Sequence, residues 1–241
     1  MAKFIALVSG KGGAGKTTST LNIGQALVHL GKKVIVLDAN LVTPNLALQL
    51  GYLDPKGNVN KFLRKENNLK EIIYSHEGGL SVIPASPSYV EFQKTNSQSI
   101  GEIFHHLENL ADFVLIDSPS GLGEEVSEVL KNCDEAVIIV NPNTSSVMDA
   151  LKTIRLAEKH ETSIAGVLLN MSNKGRHELN PKEVETILGQ MIVANVPQHK
   201  KFRKALHKQM PLTHLYKRSK PAKEFTKMAS FLSLDNEMRV K

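Results

Sequence analysis

Ser9-Gly10-Lys11-Gly12-Gly13-Ala14-Gly15-Lys16-Thr17-Thr18 follows directly on the apolar run Phe4 to Val8 and leads into a helical pattern. From Gly10 to Thr17 it satisfies G-x-x-x-x-G-K-[ST], and the strand, loop and helix that this spacing requires are all present. Gly10, Gly12, Gly13 and Gly15 let the backbone around Ala14 curl until successive N–H groups point at phosphate oxygens. The helix starting near Lys16 and Thr18 adds its positive end. Lys16 neutralises β and γ oxygens, and the Thr17 hydroxyl can ligate Mg²⁺. A merely flexible glycine turn has no need of Lys-Thr after its last glycine.

Outward from this loop, apolar runs recur, each followed by Gly, Asn, Asp or Pro and then by helical periodicity. That is the pattern of βαβ units, and it predicts an α/β fold: a doubly wound, mostly parallel β-sheet flanked by helices. Strands are predicted at Phe4 to Val8, Val34 to Leu37, Leu80 to Ile83, Phe113 to Ile116, Ala136 to Val140, Ile164 to Leu169 and Met191 to Val193. They do not alternate, which implies burial on both faces. A helix from Thr17 to Leu30 is closed by Gly31, which can take the left-handed conformation past a helix end. Another is predicted to bury Ile100, Ile103, Phe104, Leu107 and Ala111, and two more are marked by Val147, Leu151 and Ile154 and by Val184, Ile187 and Leu188. Tyr52 to Ser99 is hard to assign, because Asn, Ser and Pro interrupt its apolar patches. No repeat or linker divides the chain, so residues 1–241 are expected to form a single domain.

Of 241 residues, 41% are apolar and 22% charged, close to the globular norm, so a sizeable core can form. Phe4 to Val8 is too short for an export signal or a bilayer span, and the expectation is a cytoplasmic chain. Cys133 is the only cysteine, which excludes an intrachain disulfide, a CxxC pair or an all-cysteine zinc site within one chain. The nine histidines lack H-x₃-H or H-E-x-x-H spacing. The net charge of +6 is local: residues 199–223 hold nine Lys/Arg and no acid, leaving 21 basic against 24 acidic residues elsewhere. A confined polyanion-binding face follows from that distribution.

Lys11 has no part in the ordinary loop motif. K-G-G-x-G-K-T-T resembles the deviant Walker A sequence of the MinD/ParA class of P-loop ATPases, and the resemblance extends over essentially the whole chain. It is family-specific at three phosphate-side motifs and softer beyond Ser145. It implies ATP and Mg²⁺ as ligands, and for Lys11 a contact in trans to phosphates bound by a second subunit. Asp38, in Asp38-Ala39-Asn40, matches the first acid of the family's switch I, near Mg²⁺. Asn40 stands where the family has the acid that orients or deprotonates the attacking water. An amide can orient water but cannot take its proton, so slow hydrolysis is expected unless Asn40 only turns the chain. Asp117, ending Phe113 to Asp117, resembles the Walker B acid holding Mg²⁺ through water, and Gly121 of Asp117-Ser-Pro-Ser-Gly121 resembles the switch II glycine whose N–H senses the γ-phosphate. Asn170 and Pro197 match positions that read the adenine edge and pack the base, though both also suit plain turns. The nitrogenase iron protein, the iron-sulfur scaffold ATPases and the tail-anchored-protein targeting ATPase use paired or clustered cysteines, and Cys133 alone disfavours all three.

His199 to Gln209 is predicted as a helix with Phe202, Ala205, Leu206 and Gln209 on one side and Lys200, Lys201, Arg203, Lys204 and Lys208 on the other. That cationic face suits duplex DNA phosphates or anionic lipid, or is simply a solvated face. Phe225, Met228, Ala229 and Leu232 repeat at helical spacing and are expected to dock on the core; Asp235 to Lys241 is polar, so no membrane-targeting helix is evident. The resemblance therefore implies an ATP-dependent homodimerisation switch with slow hydrolysis, serving spatial positioning, cell division or partitioning with an unidentified activator or cargo. A kinase-like or ligase-like enzyme and a non-hydrolysing ATP-bound scaffold stand as alternatives. A peripheral location at nucleoid or membrane depends on the basic segment.

Overall fold

A computed structural model describes residues 1–173, 175 and 177–234. Eight strands form one sheet: β1 (Lys3–Val8), β2 (Val34–Asp38), β3 (Tyr74–Ser75), β4 (Ser81–Ile83), β5 (Phe113–Asp117), β6 (Glu135–Val140), β7 (Ser163–Ser172) and β8 (Ile192–Pro197). The helices are α1 (Lys16–His29), α2 (Leu46–Gln49), α3 (Val59–Leu63), α4 (Leu69–Ile72), α5 (Tyr89–Gln93), α6 (Phe104–Leu107), α7 (Glu124–Lys131), α8 (Thr144–Lys159), α9 (Pro181–Leu188), α10 (Lys201–His207), α11 (Leu212–Leu215) and α12 (Lys220–Ser233), with a 3₁₀ helix at Ser97–Ile103 before α6. The strand order is β3-β4-β2-β5-β1-β6-β7-β8. Every pairing is parallel except β3 with β4.

The continuous apolar runs are two alternating patterns laid over each other. In β1, Phe4, Ala6 and Val8 enter one core while Ile5 and Leu7 enter the other, and β6 divides Ala136, Ile138 and Val140 from Val137 and Ile139 in the same way. A strand that must feed two layers has no polar face to display. The first core is completed by Ile100, Ile103, Phe104 and Leu107, by Val126, Val129 and Leu130 of α7, and by Val147 and Ile154 of α8. The second is filled by Leu21, Ile23, Ala26 and Leu27 of α1 against Phe225, Met228, Ala229 and Leu232 of α12. Docking of the 225–232 stripe is thus as expected. The tail from Asp235 to Lys241 lies outside the described residues.

Several local expectations are corrected. Ile187 is 41% and Leu206 54% exposed, so helical spacing there does not mark core positions. Met191 precedes the last strand and is 50% exposed, while the strand itself runs on to Pro197. The cationic helix spans only Lys201–His207, and Gln209 has a φ of 54°, outside it. Gly31 has a φ of 80° directly after α1, as expected.

β1 lies between β5 and β6, with chain connections leaving toward opposite sides, so a crevice opens past the carboxyl ends of the central strands. The loop 9–15, Asp38, Asp117, Asn141 and Asn170 all sit at that end of the sheet. Cys133 precedes β6 and lies at the opposite end.

Candidate functional site

The loop joining β1 to α1 is held in place by glycine geometry and by two asparagines. Gly15 has a φ of 94° at the start of α1, a conformation that disfavours any side chain, and a Cβ there would collide with Asn170 Nδ2. Asn170 Nδ2 donates to the Ala14 carbonyl at 2.8 Å, and Asn141 Nδ2 donates to the Asn170 carbonyl at 3.1 Å. Gly10 packs against α8, where a Cβ would meet the Asp149 carbonyl oxygen at 2.6 Å. No side chain caps the N-terminus of α1, so its first-turn N–H groups are left to an anion.

Lys16 is only 7% exposed, and its Nζ donates to Ser9 Oγ at 3.0 Å and Ser120 Oγ at 2.7 Å. Burial lowers its proton affinity, against the opposing pull of Asp117. Thr17 Oγ1 donates to Asp117 Oδ2 at 2.6 Å, while Asp117 Oδ1 is buried with no hydrogen-bond partner. Asp38, fully buried, accepts from the Asn40 N–H at 3.1 Å and the Leu46 N–H at 3.2 Å. Asp38 and Asp117 are register partners on neighbouring strands. Burial, and then the charge of Asp117, hold the Asp38 carboxyl well above the usual range. Burial pushes Asp117 up to about 6, with the Thr17 hydroxyl and Lys16 pulling it back. Two desolvated acids, an orphaned carboxylate oxygen and a threonine hydroxyl make an oxygen donor set that fits Mg²⁺, a hard cation that would relieve their repulsion.

The remaining predicted residues fall around this centre. Lys11 is half-buried, and among the described residues its ammonium makes no hydrogen bond or ion pair, although its carbonyl accepts from Ser9 Oγ at 2.8 Å. Gly121 has a φ of 94°, and its N–H donates to the Ser9 carbonyl at 3.3 Å, a long bond that a phosphate oxygen can displace. Asn40 closes a turn on Thr43: its Nδ2 donates to the Thr43 carbonyl at 2.9 Å and its Oδ1 accepts the Thr43 N–H at 3.1 Å. Both ends of that amide are occupied, as a chain-turning role requires. Gly12, Gly13 and Thr18 stay with the loop, and the Thr18 hydroxyl donates to Gln49 Oε1 at 3.3 Å.

Beside Thr18 a cavity of about 440 Å³ is lined by Asn170, Met171, Gln198, Phe202 and Arg203 among others. Asn170 therefore faces a space large enough for a nucleobase and also clips the phosphate loop. Pro197 does not line the cavity; its neighbour Gln198 does. Phe202, taken from sequence as the apolar side of a basic helix, stands edge-on to Phe225 with ring centroids 6.2 Å apart and forms one wall. Met171 was not foreseen. It interrupts β7 with a φ of 59°, which no sequence signal announces.

Against known proteins, the family model for ParA, described as the NUBPL iron-transfer P-loop NTPase, matches residues 1–233. The chain belongs to the ParA family of P-loop NTPases. Among relatives, an uncharacterised ATP-binding protein of Methanocaldococcus jannaschii is 35% identical, the match covering 96% of this chain and 88% of that protein. Among solved structures, the Pyrococcus furiosus cell division ATPase MinD superposes with a TM-score of 0.92 at 30% identity, covering 96% of this chain and 98% of that one. The septum site-determining protein MinD of Pyrococcus horikoshii, complexed with Mg-ADP, does so with a TM-score of 0.92 at 28% identity, covering 97% and 96%. This ParA-family chain has the single cysteine Cys133, buried at the end of the sheet away from the phosphate loop, where burial raises its thiol well above the ordinary range. No described helix is long and apolar enough to cross a membrane.

Proposed function

We propose that residues 1–241 act as one Mg²⁺-dependent ATPase unit whose ATP-bound form is a homodimer, and that this nucleotide switch serves spatial positioning, cell division or partitioning. The Pyrococcus relatives named for cell division and septum placement support the process. In this reading Lys16 and the loop from Gly10 to Thr18 hold the phosphates, Thr17, Asp38 and Asp117 hold Mg²⁺, and Asn170 faces the base across a cavity walled by Gln198 rather than Pro197. Gly121 responds to the γ-phosphate. ATP would supply the transferable phosphoryl group, and Mg²⁺ held by Thr17, Asp38 and Asp117 would supply positive charge to offset that of the phosphates.

The observation that carries the switch is Lys11. A cation at the mouth of a phosphate site, without a partner of its own, has work to do only when further phosphate charge is brought to it. The wild type is expected to sediment as a dimer with Mg-ATP and as a monomer with Mg-ADP. Lys11→Ala should keep nucleotide affinity within a few-fold but lose the ATP dimer; an unchanged dimer and unchanged turnover would remove the trans role. Turnover measured with duplex DNA, anionic vesicles or a candidate partner protein identifies the activator. Arg203, Lys204 and Lys208 are exposed and available to a polyanion. ADP release that follows a small-molecule substrate instead would indicate phosphoryl transfer.

A slow or stalled cycle would follow from the absence of a proton-accepting carboxylate at residue 40, while the bonds of the Asn40 amide to Thr43 support the alternative that it turns the chain. Asn40→Asp is expected to raise single-turnover ADP formation by ~10-fold or more, because a carboxylate accepts the proton of water and no longer donates to the Thr43 carbonyl. An unchanged rate would confine residue 40 to the turn.

A further inference from the structure

Ser120, between Pro119 and Gly121, holds a position that neither the loop motif nor the neighbouring glycine explains. Its Oγ accepts a hydrogen bond from Lys16 Nζ at 2.7 Å, the shorter of the two that Lys16 makes. It also stands over the phosphate loop, 3.9 Å from where a Gly12 Cβ would project. The two serines around Lys16 differ in how their protons are used. Ser9 donates its own to the Lys11 carbonyl at 2.8 Å. Ser120 has no acceptor for its proton among the described residues. An oxygen that accepts from an ammonium is polarised, so its O–H becomes a stronger donor. That donor lies at the open mouth of the loop, beside the ammonium that meets β and γ phosphate oxygens.

We infer that Ser120 is a specificity-determining residue: its hydroxyl receives Lys16 in the empty loop and donates to the terminal phosphate when a triphosphate enters, so that it separates ATP from ADP. The inference rests on the nucleotide site proposed above. Lys16 is nearly excluded from water, and without phosphate its ammonium needs acceptors. Ser9 and Ser120 supply them. When phosphate arrives Lys16 turns to it, and the Ser120 proton finds a charged acceptor if a γ-oxygen is present. ADP has no such oxygen, so the contact is made with one nucleotide only. A hydrogen bond to a charged group contributes on the order of a 10-fold difference in affinity. Ser120 comes from the segment after β5 that also carries Gly121, so this contact would draw that segment onto the nucleotide.

Competitive displacement of a fluorescent nucleotide from the full chain, with Mg²⁺, by ADP and by a non-hydrolysable ATP analogue tests this. A Lys11→Ala background removes any contribution from dimerisation. Ser120→Ala is expected to cut the preference for the triphosphate over ADP by ~10-fold with ADP affinity nearly unchanged, and Ser120→Thr to restore it. An unchanged ratio in Ser120→Ala, or an equal loss for both nucleotides, overturns the inference while leaving the nucleotide site intact. Failure of the parent protein to bind either nucleotide overturns both.

Discussion

Replacing Lys16 with Met is expected to weaken Mg-ADP binding by ~100-fold or more while the fold stays intact, since two charge-assisted hydrogen bonds to phosphate are lost. Lys16 is 7% exposed, and its direct partners are two hydroxyls, with no carboxylate in hydrogen-bonding contact. A buried ammonium so placed is poorly compensated until an anion arrives. Met keeps the apolar stem of the side chain and removes the ammonium, so the empty protein gives up little when Ser9 and Ser120 lose a donor. Calorimetric titration with Mg-ADP beside thermal melts of the empty protein separates the two effects. Binding within 10-fold of wild type would show that the backbone N–H groups of the loop carry the phosphate alone.

The second large effect concerns the paired acids. Asp117→Asn should lower Mg²⁺-dependent nucleotide affinity by ~100-fold, since a metal held by one or two carboxylates loses a charged ligand, and it should stabilise the empty protein by about 1–3 kcal/mol. Asp117 is buried beside Asp38, and one of its oxygens has no partner. Its carboxyl is raised from 3.8 to about 6, so the fold favours the protonated form. Stability contributed by that proton is complete below pH ~4 and is lost as pH rises through about 6. The gain from Asn is therefore expected at neutral pH and absent near pH 4. Melts across that range, with and without Mg-ADP, give the sign directly. A variant less stable at neutral pH would mean that Asp117 is compensated in the fold rather than held for a cation.

The phosphate side was legible because its chemistry is local. Ser9 to Thr18 forms one loop, and Asp38 and Asp117 each end an apolar run, so strand register alone brings the acids together. The base cavity was less legible. Met171 and Gln198 meet through the pairing of β7 with β8, and Phe202 of α10 joins them by resting on Phe225 of α12, so no spacing along the chain encodes the cavity. Between Tyr52 and Ser99 the helices have four or five residues, too few to express a period. α3 and α4 are fixed by end groups instead, as where Asn68 accepts from the Glu71 N–H and Glu71 answers the Asn68 N–H. β3, two residues long, takes its place from pairing with β4. α7 buries Val126, Val129 and Leu130, but its eight residues follow a glycine-rich stretch and are too few to mark a helix in the sequence.

The packing of α1 against α12 joins the first described helix to the last described one, and this bears on how the protein is made. Leu21, Ile23 and Leu27 of α1 share one buried core with Phe225, Met228 and Leu232 of α12. Some 200 residues separate the two, roughly 10–40 s of ribosomal synthesis. Until α12 has emerged, the nascent chain must carry an uncovered apolar helix directly behind its phosphate loop. Ordered packing behind the phosphate loop therefore waits on α12, and a nascent chain halted before residue 225 is expected to be a substrate for chaperones rather than a smaller working domain.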